Sequence, residues 1–125
     1  MKEESVQLIK TWFTFELADA ANGYDYYDLS QSNGKIHIKG NNGVSLATGL
    51  NYYLKYYCNV NISQVGDQVT MPKSIIPVER TVHKETKFPV RYSYNYCTLS
   101  YSMAFWGEEE WRNELDWLAL NGVNV

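Results

Sequence analysis

The sequence contains few of the residues that stabilise disulfide-rich or metal-binding proteins. Among its 125 residues are two cysteines, Cys58 and Cys97, which are too few for a disulfide framework and lack metal-ligand spacing. The two cysteines could form one disulfide bridge or remain free thiols, and we favour two free thiols. The two histidines, His37 and His83, each stand alone in the sequence, so we expect both on the polar surface.

Charge and hydropathy exclude further classes of partner. Eleven Lys and Arg against fourteen Asp and Glu give a net charge of −3, which leaves no basic surface for nucleic acid. No apolar run approaches the roughly 18–20 residues that span a bilayer, so no membrane partner is expected. The opening residues Met1-Lys2-Glu3-Glu4 lack the basic-then-apolar pattern of a secretory signal.

Aromatic residues are abundant, with eleven Tyr, four Trp and four Phe making up 15% of the chain. Aromatic rings stack on sugars and also fill protein cores. Composition alone favours core packing. The 45% of hydrophobic residues is typical of a folded domain.

Local patterns predict a small α/β unit that ends near Lys87. Ser32-Asn33-Gly34 is a hairpin signal, and Asn41-Asn42 offers an N-cap to a helix that begins at Val44. Three prolines bracket a later extended region without a helix. The full set of predicted elements comprises helices at 5–12 and 44–57, strands at 14–17, 24–29 and 35–39, and short strands at 60–62 and 68–70.

The pattern changes after Pro89. Val90–Thr98 alternates as a strand would, Glu108–Leu120 is periodic as a helix would be, and Val123 opens another strand. Strand, helix and strand form the repeating unit of a parallel α/β architecture, whose strands must be covered on both faces. One and a half units cannot meet that requirement, so we interpret the sequence as truncated.

Two blocks of sequence carry a resemblance to a known family. They are residues 40–58 and residues 91–102, the latter continued by Trp106, Trp111 and 114–124. The first resembles the N-terminal-domain helix of the α-N-acetylglucosaminidases of glycoside hydrolase family 89. The second is similar to that family's first barrel strand, first helix and entry to the second strand.

The resemblance implies a fold and an activity. Residues 1–87 would form a small mixed-sheet N-terminal accessory domain with two helices, and 88–125 the first βα unit of a truncated (β/α)8-type barrel. The family's enzymes remove terminal α-linked N-acetylglucosamine from glycans by a retaining mechanism, with two carboxyl groups about 5–5.5 Å apart. Both catalytic glutamates would lie beyond Val125, so the chain alone is expected to be inactive. No metal or organic cofactor is implied, and relatives act outside the cytosol.

Candidate substrate-binding residues also follow from the resemblance. Asn95 and Cys97 fall on one side of the predicted strand, at positions that line the family's sugar pocket, and Tyr101 in the following loop is a weaker candidate. Without the resemblance, a structural interpretation is better: the Asn95 side chain bonds to the backbone, and Cys97 fills space as a small apolar residue. The acidic residues of the predicted helix are explained by solvation and by the helix dipole; they are Glu108, Glu109, Glu110, Glu114 and Asp116.

Two other functions stay open. A free-standing carbohydrate-binding or protein-interaction module is supported by the abundance of Tyr and Trp alone, and a structural spacer would bind no ligand. In the leading hypothesis the partners are a glycan with terminal α-N-acetylglucosamine and the rest of the catalytic barrel. A truncated chain should also self-associate through the open edges of Val90–Thr98.

Overall fold

The computed structural model describes residues 3–125, with side chains from Gln7 onward. None of the helices in that range is long and apolar enough to cross a membrane. In chain order the elements are α1 (Glu3–Trp12), β1 (Phe13–Leu17), β2 (Asp25–Ser32), β3 (Lys35–Gly40), α2 (Gly43–Tyr56), β4 (Val82–Thr86), a 3₁₀ helix (Thr98–Ser100) and α3 (Glu108–Leu120).

The four strands form one mixed sheet in the order β1-β3-β2-β4. β1 runs parallel to β3, whereas β2 is antiparallel to both β3 and β4. The predicted hairpin between β2 and β3 is confirmed, because Ser32 pairs with Lys35 across a two-residue turn. Asn33 and Gly34 have φ values of 51° and 74° there, the left-handed geometry that such a turn requires.

Helix α2 packs on one face of this sheet. Asn42 caps its first turn by accepting a 2.8 Å hydrogen bond from the Ser45 amide, as the sequence predicts. Gly49 brings the helix backbone close to the sheet, since a Cβ there would lie 2.8 Å from Ile38 Cγ2. The most completely buried side chains of the resulting core are Tyr53, Leu29, Ile36, Ile38, Leu54 and Val60.

The opposite face of the sheet is polar and carries both histidines. His37 Nε2 lies 2.9 Å from a Glu16 carboxylate oxygen, and His83 Nδ1 lies 2.6 Å from an Asp28 oxygen. Strand alternation puts these residues on the side away from α2. The expected polar surface setting of the histidines is therefore confirmed, and both cysteines are free thiols.

Strand β4 is absent from the sequence-based prediction. Its residues Val82–Thr86 carry three exposed side chains in the middle, so no apolar pattern marks it. It forms because β2 offers an open antiparallel edge. The short strands predicted at 60–62 and 68–70 reduce to a single bridge between Asn61 and Gln68.

The predicted strand Val90–Thr98 is wrong as a regular element. β-like contact is confined to Arg91, whose carbonyl accepts from the amides of Asn124 and Val125 at 3.0 and 3.3 Å. A parallel strand needs neighbours along its length. Among the described residues, the backbone of segment 90–98 forms hydrogen bonds to a remote segment only at 124–125, and the chain turns from about Asn95 onward.

Candidate functional site

The three candidate residues of the sugar pocket lie in one turn-rich segment before α3. Asn95 Oδ1 accepts from the Cys97 amide at 2.9 Å and from the Thr98 hydroxyl at 3.2 Å, which closes an Asx turn. Asn95 is exposed, Cys97 is half-buried and Tyr101 is 79% exposed. The structure thus keeps the three residues within one short loop, although not on one side of a strand.

The start of this segment is fixed by a junction that sequence reasoning missed. The Arg91 guanidinium donates to Asp25 Oδ2 on β2 at 2.6 Å, to the Gly122 carbonyl at 2.6 Å and to the Phe88 carbonyl at 2.7 Å. Arg91 and Asp25 are only 19% and 20% exposed. Their separation of 66 residues leaves no local signal that could have paired them.

Asp25 is itself held by two asparagine side chains. The amide nitrogens of Asn41 and Asn42 each donate to Asp25 Oδ1 at 2.8 Å. The hydrogen bond from Asn41 has the largest effect and lowers the pKa of Asp25. Burial opposes it, but the hydrogen bond and charge of Arg91 and the hydrogen bond from Asn42 lower the pKa further. The carboxylate therefore stays ionised opposite Arg91 and links β2, the start of α2 and the segment after Pro89.

Helix α3 is attached to α2 by bonds to its carboxyl end. Asn51 Nδ2 donates to the Leu120 carbonyl at 3.0 Å. Thr48 Oγ1 donates to the Val44 carbonyl of its own helix at 2.8 Å and also lies 3.2 Å from the Ala119 carbonyl. The Leu120 and Ala119 carbonyls belong to the last turn, where a helix has no internal partners for them. Asn51 thus supplies a donor for the Leu120 carbonyl, while the Ala119 carbonyl already accepts from the Gly122 amide at 3.1 Å. The contacts of Asn51 and Thr48 join the end of α3 to α2.

A cleft of about 730 Å³ separates α3 from the loop 62–67. The buried Glu114 accepts a hydrogen bond from Gln64 inside it. Its wall combines tryptophan rings with carboxylates, namely Trp106, Trp117, Asp67, Glu109, Glu110, Glu114 and Asp116. None of the three candidate pocket residues lines the cleft, so it is separate from the Asn95–Tyr101 segment.

Two acidic residues in the first turn of α3 have structural partners. Glu108 forms a 2.6 Å ion pair with Arg112 one turn later, and Glu110 accepts from the Gly107 amide at 2.8 Å at the helix start. The second contact stabilises the first turn, where backbone amides are otherwise unsatisfied. Among the side chains that the structure describes, from Gln7 onward, no group of three or more His, Cys, Asp and Glu is arranged to hold a metal ion.

Two family models match the chain in succession. One, described as the alpha-N-acetylglucosaminidase (NAGLU) N-terminal domain, matches residues 8–78, and the other, the alpha-N-acetylglucosaminidase (NAGLU) tim-barrel domain, matches residues 91–125. Both models describe domains of one class of glycosidase, and they match in the order N-terminal domain and then barrel domain. The chain belongs to the α-N-acetylglucosaminidase family, glycoside hydrolase family 89.

A human relative and a solved bacterial structure support this family assignment. The chain is 35% identical to human alpha-N-acetylglucosaminidase over 107 residues, 85% of this chain and 14% of that protein. It is 47% identical to a family 89 glycoside hydrolase from Clostridium perfringens, with a TM-score of 0.90 over 94% of this chain and 14% of that one. That enzyme has been solved with PUGNAc and, as a double variant, with its substrate GlcNAc-alpha-1,4-galactose. The chain thus spans 14% of the length of these relatives.

Proposed function

We propose that this chain forms the front of a retaining exo-α-N-acetylglucosaminidase that removes terminal α-linked N-acetylglucosamine from glycans. The supporting observation is that both family models match, in the order accessory domain and then barrel. The Clostridium perfringens relative, 47% identical, was solved with GlcNAc-alpha-1,4-galactose as its substrate. As in the resemblance drawn from the sequence, we place the parent enzyme outside the cytosol.

Residues 1–87 would serve as the accessory domain, and 88–125 would open the barrel. The contacts agree with this division, since β4 at Val82–Thr86 completes the mixed sheet just before the junction at Arg91. In (β/α)8 barrels the loop between a strand and its helix faces the active site. Asn95, Cys97 and Tyr101 occupy that loop, between the strand-like contact at Arg91 and α3.

Each candidate has chemistry that suits a sugar pocket. An exposed Asn amide can hydrogen-bond sugar hydroxyls or the acetamido group. The 79% exposed ring of Tyr101 offers a face for stacking on a pyranose. Cys97 is small enough to let a sugar approach the loop.

The surface around this loop is apolar and uncovered. Phe88, Tyr92, Tyr96 and Phe105 are 72%, 65%, 89% and 100% exposed. Large exposed aromatic side chains concentrated in one segment often mark a binding interface. We propose that the remaining barrel strands and helices cover it in the parent enzyme. The sequence predicts self-association through the edges of Val90–Thr98, but that segment forms no regular strand, so we propose these exposed side chains as the contact instead.

The catalytic carboxyl groups are proposed to lie outside these residues. Retaining hydrolysis needs two carboxyls about 5–5.5 Å apart on either side of the scissile bond. Glu108, Glu110 and Glu114 instead bond to Arg112, the Gly107 amide and Gln64. The chain by itself should therefore lack turnover.

The first experiment uses the purified chain with an aryl α-N-acetylglucosaminide and, separately, calorimetric titration with N-acetylglucosamine. We expect neither turnover nor saturable binding. Turnover by the pure chain would contradict the assignment of catalysis to the missing barrel. Saturable binding by residues 1–125 would favour the free-standing carbohydrate-binding module, which has only the aromatic content as support.

A graft tests the pocket residues. This chain would replace the matching 14% of the Clostridium perfringens enzyme. Asn95→Ala in the graft should lower kcat/KM about 10- to 100-fold, because a sugar-binding group loses its partner. Asn113→Ala, the same change at an exposed position of α3, is the matched control and should leave kcat/KM unchanged. Equal rates for both variants would remove Asn95 from the pocket.

A further inference from the structure

Arg91 joins three segments that are remote from one another in sequence. Its terminal and inner nitrogens reach Asp25 on β2, the Gly122 carbonyl after α3 and the Phe88 carbonyl before the barrel segment. A guanidinium presents its donors in a rigid planar fork, so the three acceptors also fix the side chain's orientation. The Arg91 backbone in turn pairs with the backbone of Asn124.

The anchor for this fork is rigid. Asp25 receives two further hydrogen bonds from Asn41 and Asn42, and Asn42 is the N-cap of α2. Asn41 Oδ1 also accepts from the Tyr26 amide at 3.1 Å. The Asp25 carboxylate is thus attached to the sheet and to α2 by contacts that do not involve Arg91.

We propose that Arg91 is a positioning residue: held by Asp25, it sets where segment 91–98 leaves the accessory domain and how that segment lies beside residues 123–125. Asn95 and Cys97 follow four and six residues later, so their position depends on this contact. The assignment of Asn95 and Cys97 to a sugar pocket rests on the proposed function. The contact of Arg91 with Asp25, Gly122 and Phe88, which we call the clamp, does not. The accessory domain would therefore act on the active site from outside it.

The test compares Arg91→Lys with Arg112→Lys in the full 125-residue chain. Lysine keeps the charge but has one nitrogen in place of the fork, so it cannot reach all three acceptors. Arg112 supplies the control because its pair with Glu108 is exposed, at 69% and 84%. Within segment 91–98, hydrogen exchange would be measured at the hydrogen-bonded amides of Arg91, Cys97 and Thr98, together with the modification rate of the Cys97 thiol. Exchange of the β2 and β3 amides is the test of folding.

We expect Arg91→Lys to raise both the exchange rate in segment 91–98 and the rate of Cys97 modification about tenfold. Losing a hydrogen bond to a charged group changes an equilibrium by about that factor. The sheet amides and the buried Cys58 thiol should be unaffected. In the unaltered chain, the Arg91 Nε–H resonance should exchange slowly because it donates to Gly122, and Asp25→Asn should speed its exchange. Asp25→Asn combined with Arg91→Lys should loosen segment 91–98 no more than the stronger single change, since both remove one interaction.

Three results would overturn the proposal. The first is unchanged exchange and thiol reactivity in a folded Arg91→Lys chain, and the second is an equal effect of Arg112→Lys. The third is full additivity of the Asp25 and Arg91 changes. None of these readouts requires catalysis, so any of the three results would contradict the clamp and leave the proposed function standing. An inactive graft would contradict the proposed function and leave the clamp standing.

Discussion

Gly49→Ala in α2 should destabilise the protein although alanine is the better helix former. In an exposed helix this substitution gains about 1 kcal/mol. At Gly49 the new Cβ would lie 2.8 Å from Ile38 Cγ2 and 3.1 Å from Tyr27 Cδ2. Ile38 is fully buried and branched at Cβ, so its methyl group cannot turn away.

The magnitude follows from two opposing effects. Forcing a methyl group into a packed core costs about 1–3 kcal/mol, which exceeds the helix-propensity gain in most of that range. We expect a net loss of about 1 kcal/mol or more in the free energy of unfolding, because the contact is too short to relax by a few tenths of an ångström.

Urea unfolding followed by tryptophan fluorescence measures this difference. Gly43→Ala is the matched control, since its Cβ would meet nothing within 4 Å at the start of the same helix. It should be neutral or stabilising by a few tenths of a kcal/mol. The reasoning is refuted if Gly49→Ala unfolds at the same or a higher urea concentration than the unaltered chain.

Three further predictions concern the core, the polar face and the apolar surface. Tyr53→Phe removes a hydroxyl that donates to the Ile76 carbonyl at 2.8 Å and accepts from its amide at 2.9 Å; urea unfolding should show a loss of about 1–3 kcal/mol, against none for the exposed control Tyr56→Phe. The Asp28 carboxylate raises the pKa of His83, so this pair stabilises below the ordinary value of 6.5 and is lost as pH rises through the raised pKa. Melting curves recorded at several pH values across that range should show that the free energy of unfolding depends less on pH in His83→Gln. The difference should be a few tenths of a kcal/mol, because the pair is half exposed, and an identical pH dependence would contradict the assignment. Sedimentation should show self-association that rises with concentration and weakens when Phe105, fully exposed, becomes Ser; a monomer at all concentrations would refute it.

Local chemistry made much of the fold predictable. Asn33-Gly34 specifies the hairpin turn through its positive φ values, and Asn42 specifies the start of α2 through its side-chain cap. The buried side of α2 does not follow from its apolar residues alone. Ser45 and Gly49 face the sheet because small side chains let the helix approach, whereas an apolar-only pattern overlooks them.

Features that depend on distant partners were beyond the sequence. Strand β4 exists because β2 has a free edge, and the predicted strand Val90–Thr98 fails because too little of the described chain lies beside it. The Asp25–Arg91 pair joins residues that no pattern connects. Asn95 and Cys97 were reached only through the family resemblance, since an Asx turn and a half-buried thiol are common without any function.

The most direct test of the account is release of N-acetylglucosamine from GlcNAc-α-1,4-galactose by the unmodified graft in the Clostridium perfringens enzyme. That relative's structure holds this disaccharide as its substrate, and the chain matches 14% of its length at a TM-score of 0.90. The account predicts turnover by the graft and none by the isolated chain. A graft that folds, binds the disaccharide and fails to cleave it would contradict the claim that this chain is the front of such an enzyme.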